Sequence, residues 1–272
     1  MTPPASGSDA YSPREIARIV EDLGVAKART DTLTLFVLAV LAGAFISLGA
    51  LFFVAVITDA SPGFGVTRLL GGLAFCLGLV LVVVAGAELF TGNNLLAMAW
   101  AGGLISTREV VRNWLVVYAG NVAGCLGTVA LVAWADVASL GDGGVGEPAV
   151  RVATAKAGLG AGAAFARGVL CNTLVCLAVW LAMGGRSVTD RILAILFPIT
   201  AFVAIGGEHS IANWFFLAWG YALAPDAAPV AGIATNLAAV TAGNVVGGTL
   251  LVAGVYWLAY LRGARDDRNR QA

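Results

Sequence analysis

Long apolar runs separated by short polar segments dominate the chain. Six of these runs have helical length, because a transmembrane helix needs about 20 apolar residues to cross the hydrocarbon core. They cover residues 33–57, 69–100, 110–135, 158–183, 190–221 and 230–261. The sequence lacks the ten-residue segments of alternating hydrophobicity that indicate a membrane β-barrel. The pattern therefore predicts an all-α integral membrane protein with six transmembrane helices.

The second and fifth runs are too long for one simple crossing, and each contains the same polar interruption. Glu88 and Asn93 stand five residues apart in one run, and Glu208 and Asn213 stand five residues apart in the other. Ionisable groups at membrane depth are costly and usually face a cavity rather than lipid. Matched interruptions in the two halves of a hydrophobic chain point to a transport site. We therefore expect the second and fifth helices to be broken.

The two halves of the chain resemble each other at an offset of roughly 120 residues. Ala44-Phe45 aligns with Ala164-Phe165, and NWLVVYAGNVAG aligns with NLAAVTAGNVVG in the third and sixth spans. Because each half holds three spans, the second half must be inverted across the membrane. This predicts a three-helix repeat over residues 31–135, an extracytoplasmic loop over 136–157 and an inverted three-helix repeat over 158–261.

The charged residues between the spans predict the orientation. Twelve Lys and Arg residues lie on the side of the two termini and three on the opposite side, while Arg167 lies inside the fourth span without an evident partner. Positive residues concentrate in cytoplasmic segments, so both termini should be cytoplasmic. Ser12-Pro13-Arg14-Glu15 predicts the start of an amphipathic helix within a cytoplasmic segment over residues 1–30. Residues 262–272 form a polar cytoplasmic tail.

Composition narrows the function mainly by exclusion. Of the 272 residues, 59% are hydrophobic and 12% are charged, and the net charge is zero. This balance gives no reason to expect a nucleic-acid partner. The single histidine and four scattered cysteines do not have the spacing of a metal site or a catalytic cluster. We expect no metal, no cofactor and no enzymatic activity; the cysteines are Cys76, Cys125, Cys171 and Cys176.

Several motifs resemble the formate–nitrite transporter family. They are AELFTGN at 87–93, GVLCNTLVCLAVW at 168–180, GRSVTDR at 185–191, GEHSIAN at 207–213 and AGNVVGG at 242–248. The resemblance implies an aquaporin-like inverted 3+3 repeat with broken second and fifth helices. It also implies a homopentamer with one pore per protomer in a bacterial cytoplasmic membrane. The substrates it implies, moved together with protons, are small anions: formate, nitrite, hydrosulfide, acetate or lactate.

The resemblance also implies roles for individual residues. His209 matches the central pore histidine, Thr91 matches the threonine of the first break, and Lys156 matches a vestibule lysine. Asn172 matches a pore-lining asparagine. Two apolar constrictions are implied, an outer one formed by Phe75, Leu79 and Phe202 and an inner one formed by Leu89, Phe90 and Val175.

The chemistry of an anion in a membrane suggests what His209 does. An isolated anion in a low-dielectric pore is costly and must be neutralised or paired. Histidine titrates near physiological pH and can donate either a proton or a hydrogen bond. We hypothesise that the anion, drawn in by Lys156 and by the positive ends of the broken helices, accepts one of these from His209. Thr91 would supply a second donor.

The other polar residues of the breaks have a predicted supporting role. We expect the carboxylates of Glu88 and Glu208 to accept backbone N–H groups of the loops. Freed backbone groups would be satisfied by four asparagines, namely Asn93, Asn213, Asn121 and Asn244. Lys156 could alternatively be a solvated lysine of the loop.

Formate is the favoured substrate, and nitrite or hydrosulfide stays open within the same family. An alternative of another class is a neutral-solute channel of the aquaporin type. Such pores commonly place Asn-Pro-Ala motifs at their helix breaks, and neither break of this chain contains proline. A membrane-embedded enzyme and a subunit without a pore are less favoured.

Overall fold

The computed structural model describes residues 10–60, 63–142 and 144–262. Residues 1–9 of the predicted N-terminal segment and 263–272 of the predicted tail lie outside this description. Within the described ranges the regular elements are helical, as predicted. The helices are α1 (Pro13–Arg29), α2 (Thr32–Ile57), α3 (Phe64–Ala85), α4 (Ala97–Ala101), α5 (Thr107–Trp134), α6 (Gly146–Ala157), α7 (Ala161–Gly184), α8 (Val188–Ala204), α9 (Ser210–Leu223), α10 (Val230–Val246) and α11 (Val255–Tyr260).

Membrane crossings account for most of these elements. Five helices among the described residues are long and apolar enough to span a bilayer: α2, α3, α5, α7 and the continuous helix Val230–Tyr260. That last helix joins α10 to α11 through a π-helical segment, Gly247–Gly254. The fifth predicted span is divided between α8, with 17 residues, and α9, with 14. Neither half is long enough to cross alone, so the two together make the remaining crossing.

Both breaks begin with a glycine in the left-handed conformation. Gly86 follows α3 with φ +83° and Gly206 follows α8 with φ +78°. The amide of Ala87 donates to the carbonyl of Val82 at 2.9 Å, and the amide of Gly207 donates to the carbonyl of Phe202 at 2.8 Å. A Cβ disfavours this backbone conformation, so glycine is the residue that can end a helix in this way. The predicted interruptions of the second and fifth spans are confirmed.

The two breaks continue differently. After the second break, α9 runs for 14 residues, whereas the first break leads into a five-residue 3-10 segment, Gly92–Leu96, and the five-residue α4. A helix dipole sums over aligned peptide units, so a short and irregular segment offers a weaker positive end than α9. The predicted positive helix ends are therefore unequal, and the one at α9 is the stronger.

Glycine contacts define the register between the two halves. A Cβ on Gly120 of α5 would meet the carbonyl of Phe36 at 3.0 Å, and a Cβ on Gly243 of α10 would meet the carbonyl of Phe165 at 2.2 Å. Gly120 and Gly243 occupy the same position of the aligned segments in the third and sixth spans, so the residues that they contact are equivalent as well. Phe36 is therefore the equivalent of Phe165, and the predicted pairing of Phe45 with Phe165 is wrong by nine positions. Uniformly apolar sequence does not fix a register, which here depends on the glycine contacts between helices.

A short helix precedes the first span of each half. α1 starts at Ser12, whose side chain and backbone N–H bind Glu15 in a capping box, as the sequence predicted. These bonds lower the pKa of the Glu15 carboxyl. The predicted loop over residues 136–157 contains α6, which packs against α9, while α1 packs against the segment after the first break. Each half therefore contains one more helix than its three spans.

Glycines permit the close approach of α2 and α5. A Cβ on Gly124 would lie 2.1 Å from the carbonyl oxygen of Val40, whereas a Cβ on Gly127, one turn further along α5, meets nothing within 4 Å. Close backbone approach between small residues is a main source of helix association in membranes.

These two glycines make a matched pair of variants. Gly124→Ala should destabilise the protein by about 1–3 kcal/mol because α2 and α5 must move apart. Gly127→Ala should leave stability unchanged or raise it slightly, since alanine favours the helix more than glycine does. Thermal unfolding of the detergent-solubilised protein measures both effects. Equal melting temperatures for the two variants would contradict the close packing.

Candidate functional site

Four polar side chains close into a cluster at the first break. Lys27 Nζ lies 3.0 Å from Glu88 Oε1 and donates to Asn93 Oδ1 at 3.0 Å. Asn93 Nδ2 donates to Glu88 Oε2 at 2.7 Å and to Asn113 Oδ1 at 2.9 Å. Asn113 Nδ2 returns to the backbone carbonyl of Lys27 at 3.2 Å. This Lys27 cluster neutralises Glu88 and joins α1 and α5 to the break.

The second break contains the same cluster from another part of the chain. Lys156 Nζ donates to both carboxylate oxygens of Glu208 at 3.0 Å and to Asn213 Oδ1 at 2.8 Å. Asn213 Nδ2 donates to Glu208 Oε2 at 2.7 Å and to Asn236 Oδ1 at 2.8 Å. Asn236 Nδ2 returns to the carbonyl of Lys156 at 2.9 Å. This Lys156 cluster joins α6 and α10 to the break.

The clusters correct two expectations for the charged residues. The carboxylates of Glu88 and Glu208 accept hydrogen bonds from lysine and asparagine side chains, not from loop backbone as expected. Lys156 is not a solvated loop lysine, because its side chain is only 13% exposed and is ion-paired. The side chain of Lys27 is 32% exposed, so the first cluster is closer to water.

Two other asparagines satisfy the freed backbone groups, as predicted. Asn121 Oδ1 accepts the amide of Phe90, and Asn244 Oδ1 accepts the amide of Ser210. Each side-chain amide also donates to the carbonyl of the break glutamate, Glu88 or Glu208, at 2.9 Å. By contrast, the side-chain amides of Asn93 and Asn213 hold carboxylates, so their predicted backbone role is not the one observed.

His209 stands at the start of α9 and links the two breaks. It is the N-cap residue, and its Nδ1 accepts the amide of Ala212 at 3.1 Å. Its Nε2 lies 2.9 Å from Thr91 Oγ1, and both side chains are buried. Because Nδ1 is an acceptor, the neutral ring carries its proton on Nε2 and donates it to Thr91. The Thr91 hydroxyl proton then remains available to another acceptor.

An aromatic pair stands beside His209 in one cavity. The rings of Phe75 and Phe202 meet edge to face at 5.5 Å, and the Phe202 ring lies 6.2 Å from the imidazole. All three residues line a cavity of about 170 Å³ that also reaches Lys156 and Glu208. We call this cavity the Lys156 vestibule. The imidazole of His209 therefore lies next to an apolar pair of rings, and a constriction at this pair stays a prediction.

A larger cavity of about 610 Å³ reaches Lys27 and Glu88. We call it the Lys27 vestibule. Leu79 and Leu89 line this cavity together, although the family resemblance grouped Leu79 with Phe75 in the other constriction. One helical turn separates Phe75 from Leu79 on α3, which is enough to place them in different cavities.

The remaining predicted site residues pack around the breaks. Phe90 meets Trp114 and Tyr118 edge to face, and Val175 is buried in the same core. Asn172 is fully buried, and its amide donates to the backbone carbonyls of Thr91 and Asn244 and to the side chain of Asn94; the three donor–acceptor distances are 3.2, 2.7 and 2.7 Å. In this geometry Asn172 holds the first break against α10, and a direct role in the pore stays a prediction.

Sequence reasoning missed three residues of the two clusters, namely Lys27, Asn113 and Asn236. The two asparagines stand at the same position of the aligned segments in the third and sixth spans, which was a usable signal. Lys27 precedes the first span, and the predicted repeat began after it. An alignment that paired Lys27 with Lys156 would have revealed the duplication of the whole cluster.

A family model described as "Formate/nitrite transporter" matches residues 14–258. The chain is a member of the formate/nitrite transporter family. The predicted family is thereby confirmed, together with the predicted channel-type fold with its broken helices.

Two relatives of this transporter are described as formate channels. It is 37% identical over 273 residues to "Formate channel FocA" of Escherichia coli (strain K12), covering 93% of this chain and 96% of the relative. It is 34% identical over 256 residues to "Formate channel BtFdhC" of Bacillus thuringiensis, covering 92% and 96%.

Two solved structures share the transporter's fold. One, described as "Pentameric formate channel with formate bound", has a TM-score of 0.78 and 38% identity, covering 85% of this chain and 98% of that chain. The other, "FNT family ion channel", has a TM-score of 0.83 and 32% identity, covering 90% and 98%.

Because the two lysine clusters differ in burial, removing the lysine should destabilise the protein by a different amount in each. Lys156→Met leaves Glu208 buried without its partner and should destabilise the protein by about 3–5 kcal/mol. Lys27→Met should cost less, because water reaches the first cluster more easily. Adding Glu208→Gln to Lys156→Met should restore part of the loss, since the remaining amide is neutral. Thermal unfolding in detergent measures all three variants, and equal losses for the two lysines would contradict the difference in burial.

Proposed function

We propose that this transporter is a channel for small monovalent anions of weak acids and that formate is its substrate. The observation that carries the proposal is the His209–Thr91 donor pair, buried beside an apolar constriction and next to a vestibule that contains a lysine cluster. The relatives described as formate channels, aligned over nearly the whole chain, support formate as the anion.

The proposed path begins with desolvation. An anion that enters either vestibule loses water and must find donors, because an uncompensated charge in a low-dielectric site is strongly disfavoured. The hydroxyl of Thr91 is one neutral donor that can replace that water, and the Nε2–H of His209 becomes the second when it exchanges Thr91 for the anion. The apolar constrictions beyond them favour a neutral species. The anion therefore crosses as its conjugate acid, and protons accompany it.

His209 acts in this scheme as a hydrogen-bond donor. A neutral imidazole that gave up its Nε2 proton would need a second proton on Nδ1 to avoid a negative charge. Protonation of Nδ1 would remove the acceptor for the Ala212 amide and weaken the start of α9. The proton that neutralises formate therefore comes from the bulk solution as hydronium or a buffer acid, and formic acid returns it to the solution on the other side of the membrane. His209 lowers the cost of holding the anion until that proton reaches it.

We further propose that the protein is a homopentamer in a bacterial cytoplasmic membrane, with one pore per protomer and both termini in the cytoplasm. The excess of Lys and Arg on the terminal side of the spans supports this orientation. The description of one similar structure as a pentameric formate channel supports the assembly. In this orientation the Lys27 vestibule opens to the cytoplasm and the Lys156 vestibule opens to the outside.

Transport assays test the proposed substrate directly. Proteoliposomes containing the wild-type protein should take up formate faster than protein-free vesicles do, and faster at lower external pH, because more of the anion can be neutralised. Nitrite, hydrosulfide, acetate and lactate are compared in the same assay. Flux of glycerol without flux of any of these anions would support the aquaporin-type alternative and overturn the proposal.

Two His209 variants separate hydrogen bonding from proton transfer. His209→Asn keeps an N-cap acceptor and a neutral donor, so it should retain formate flux and the same pH dependence. His209→Ala loses both and should reduce flux about 10–150-fold, the effect of removing about 1.5–3 kcal/mol of hydrogen bonding to a charge. Loss of the pH dependence in His209→Asn would instead show that His209 donates the proton itself.

A further inference from the structure

The lysine of the Lys156 vestibule has no donor left for a substrate. An ammonium group has three N–H donors, and those of Lys156 are directed at Glu208 Oε1, Glu208 Oε2 and Asn213 Oδ1. Its charge is also matched by the carboxylate of Glu208, the one acidic side chain among the described residues that line this vestibule. The lysine cluster is therefore close to neutral, and attraction of an anion must come from other groups.

Two arginines supply the positive charge that can attract an anion into this vestibule. Arg68 and Arg167 both line the Lys156 vestibule. Arg68 Nε donates to the carbonyl of Ala204 at 3.2 Å and its Nη2 donates to the carbonyl of Val203, so one edge of this guanidinium caps the end of α8. Among the described residues, the Arg167 side chain forms no hydrogen bond or ion pair, and the residue is exposed.

Both guanidinium groups border the glycine that opens the second break. A Cβ built on Gly206 would lie 3.6 Å from Arg68 Nη2 and 3.7 Å from Arg167 Nη1. The absence of a side chain at Gly206 leaves room between them. Two like charges at such close range repel each other, and an anion between them would relieve that repulsion. His209 and the Phe75–Phe202 pair line the same cavity.

We propose that Arg167, assisted by Arg68, captures the anion in the Lys156 vestibule before it reaches His209, and that it favours planar anions with two oxygens. This inference rests on the proposed function. A guanidinium presents two parallel N–H donors that match a carboxylate or nitrite group, a match that an anion with one acceptor atom, such as hydrosulfide, cannot make. Arg167 is thus a selectivity determinant at the mouth of the pore, separate from the donor pair at its centre.

Capture of the anion at the mouth of the pore changes the substrate concentration needed for half-maximal uptake more than it changes the maximal flux. A positive cleft raises the local concentration of anions, and this effect weakens as salt screens the charge. Arg167→Gln should therefore raise the formate concentration for half-maximal uptake about tenfold at low ionic strength, within the range known for electrostatic focusing. Uptake at saturating formate should stay close to that of wild type.

Two further variants isolate the contribution of the guanidinium. Arg167→Lys keeps the charge but loses the paired donors, so it should retain part of the affinity and lose preference for formate over hydrosulfide in competition. Arg151→Gln is the matched control, because Arg151 is an exposed arginine of α6 that pairs with Glu147 outside the vestibule. The Arg151→Gln variant should leave the formate concentration for half-maximal uptake unchanged.

The assay compares intact cells that lack their own formate transporters with everted membrane vesicles from the same cells. The Arg167→Gln effect is expected on one face only, the face that the Lys156 vestibule opens to. The inference is overturned if Arg167→Gln and Arg151→Gln need the same formate concentration for half-maximal uptake. It is also overturned if this concentration does not rise with ionic strength for the wild type. Absence of formate uptake by the wild type would instead contradict the proposed function itself.

Discussion

The structure depends on neutralising two carboxylates that stand where transmembrane helices are broken. A broken helix exposes backbone amides and carbonyls at a depth where no lipid can satisfy them. Asn121 and Asn244 bind that backbone, while Glu88 and Glu208 anchor the lysine clusters that join each break to the short helix and the last span of its own half. If the lysine is removed, a buried charge is left without compensation. The breaks, the vestibules and the placement of His209 all follow from this arrangement.

Duplication explains the scaffold but not the chemistry. The two clusters share the same four residue types and the same arrangement, yet the break with Glu88 presents Thr91 and a short irregular segment, whereas the break with Glu208 presents His209 and a full helix. The cavities differ as well, about 610 Å³ on one side and about 170 Å³ on the other. A symmetric frame therefore supports a pathway whose two ends have different size, polarity and donors.

The sequence predicted features that depend on local physics and missed those that depend on distant contacts. The spans, the breaks and the Ser12 cap follow from hydropathy, buried charge and capping chemistry, all of which are visible in neighbouring residues. The partnership of Lys27 with Glu88 joins residues far apart in sequence, and no periodicity encodes it. The register between α2 and α7 was misplaced because apolar runs align almost equally well at several offsets. Helix α6 was missed because its 12 residues are too few for a crossing and follow a glycine-rich stretch, which made residues 136–157 resemble a loop.

His209 carries out two tasks with one ring, since Nδ1 caps α9 while Nε2 faces Thr91. The helix start therefore resists conversion of the ring into a cation. This has a kinetic meaning, because a permanent positive charge beside the constriction would trap an anion in a deep energy well. Conduction requires sites that bind a substrate and then release it quickly. In the proposed mechanism, an imidazole that the cap keeps neutral would release each anion quickly, so the intact first turn of α9 would speed the turnover of the pore.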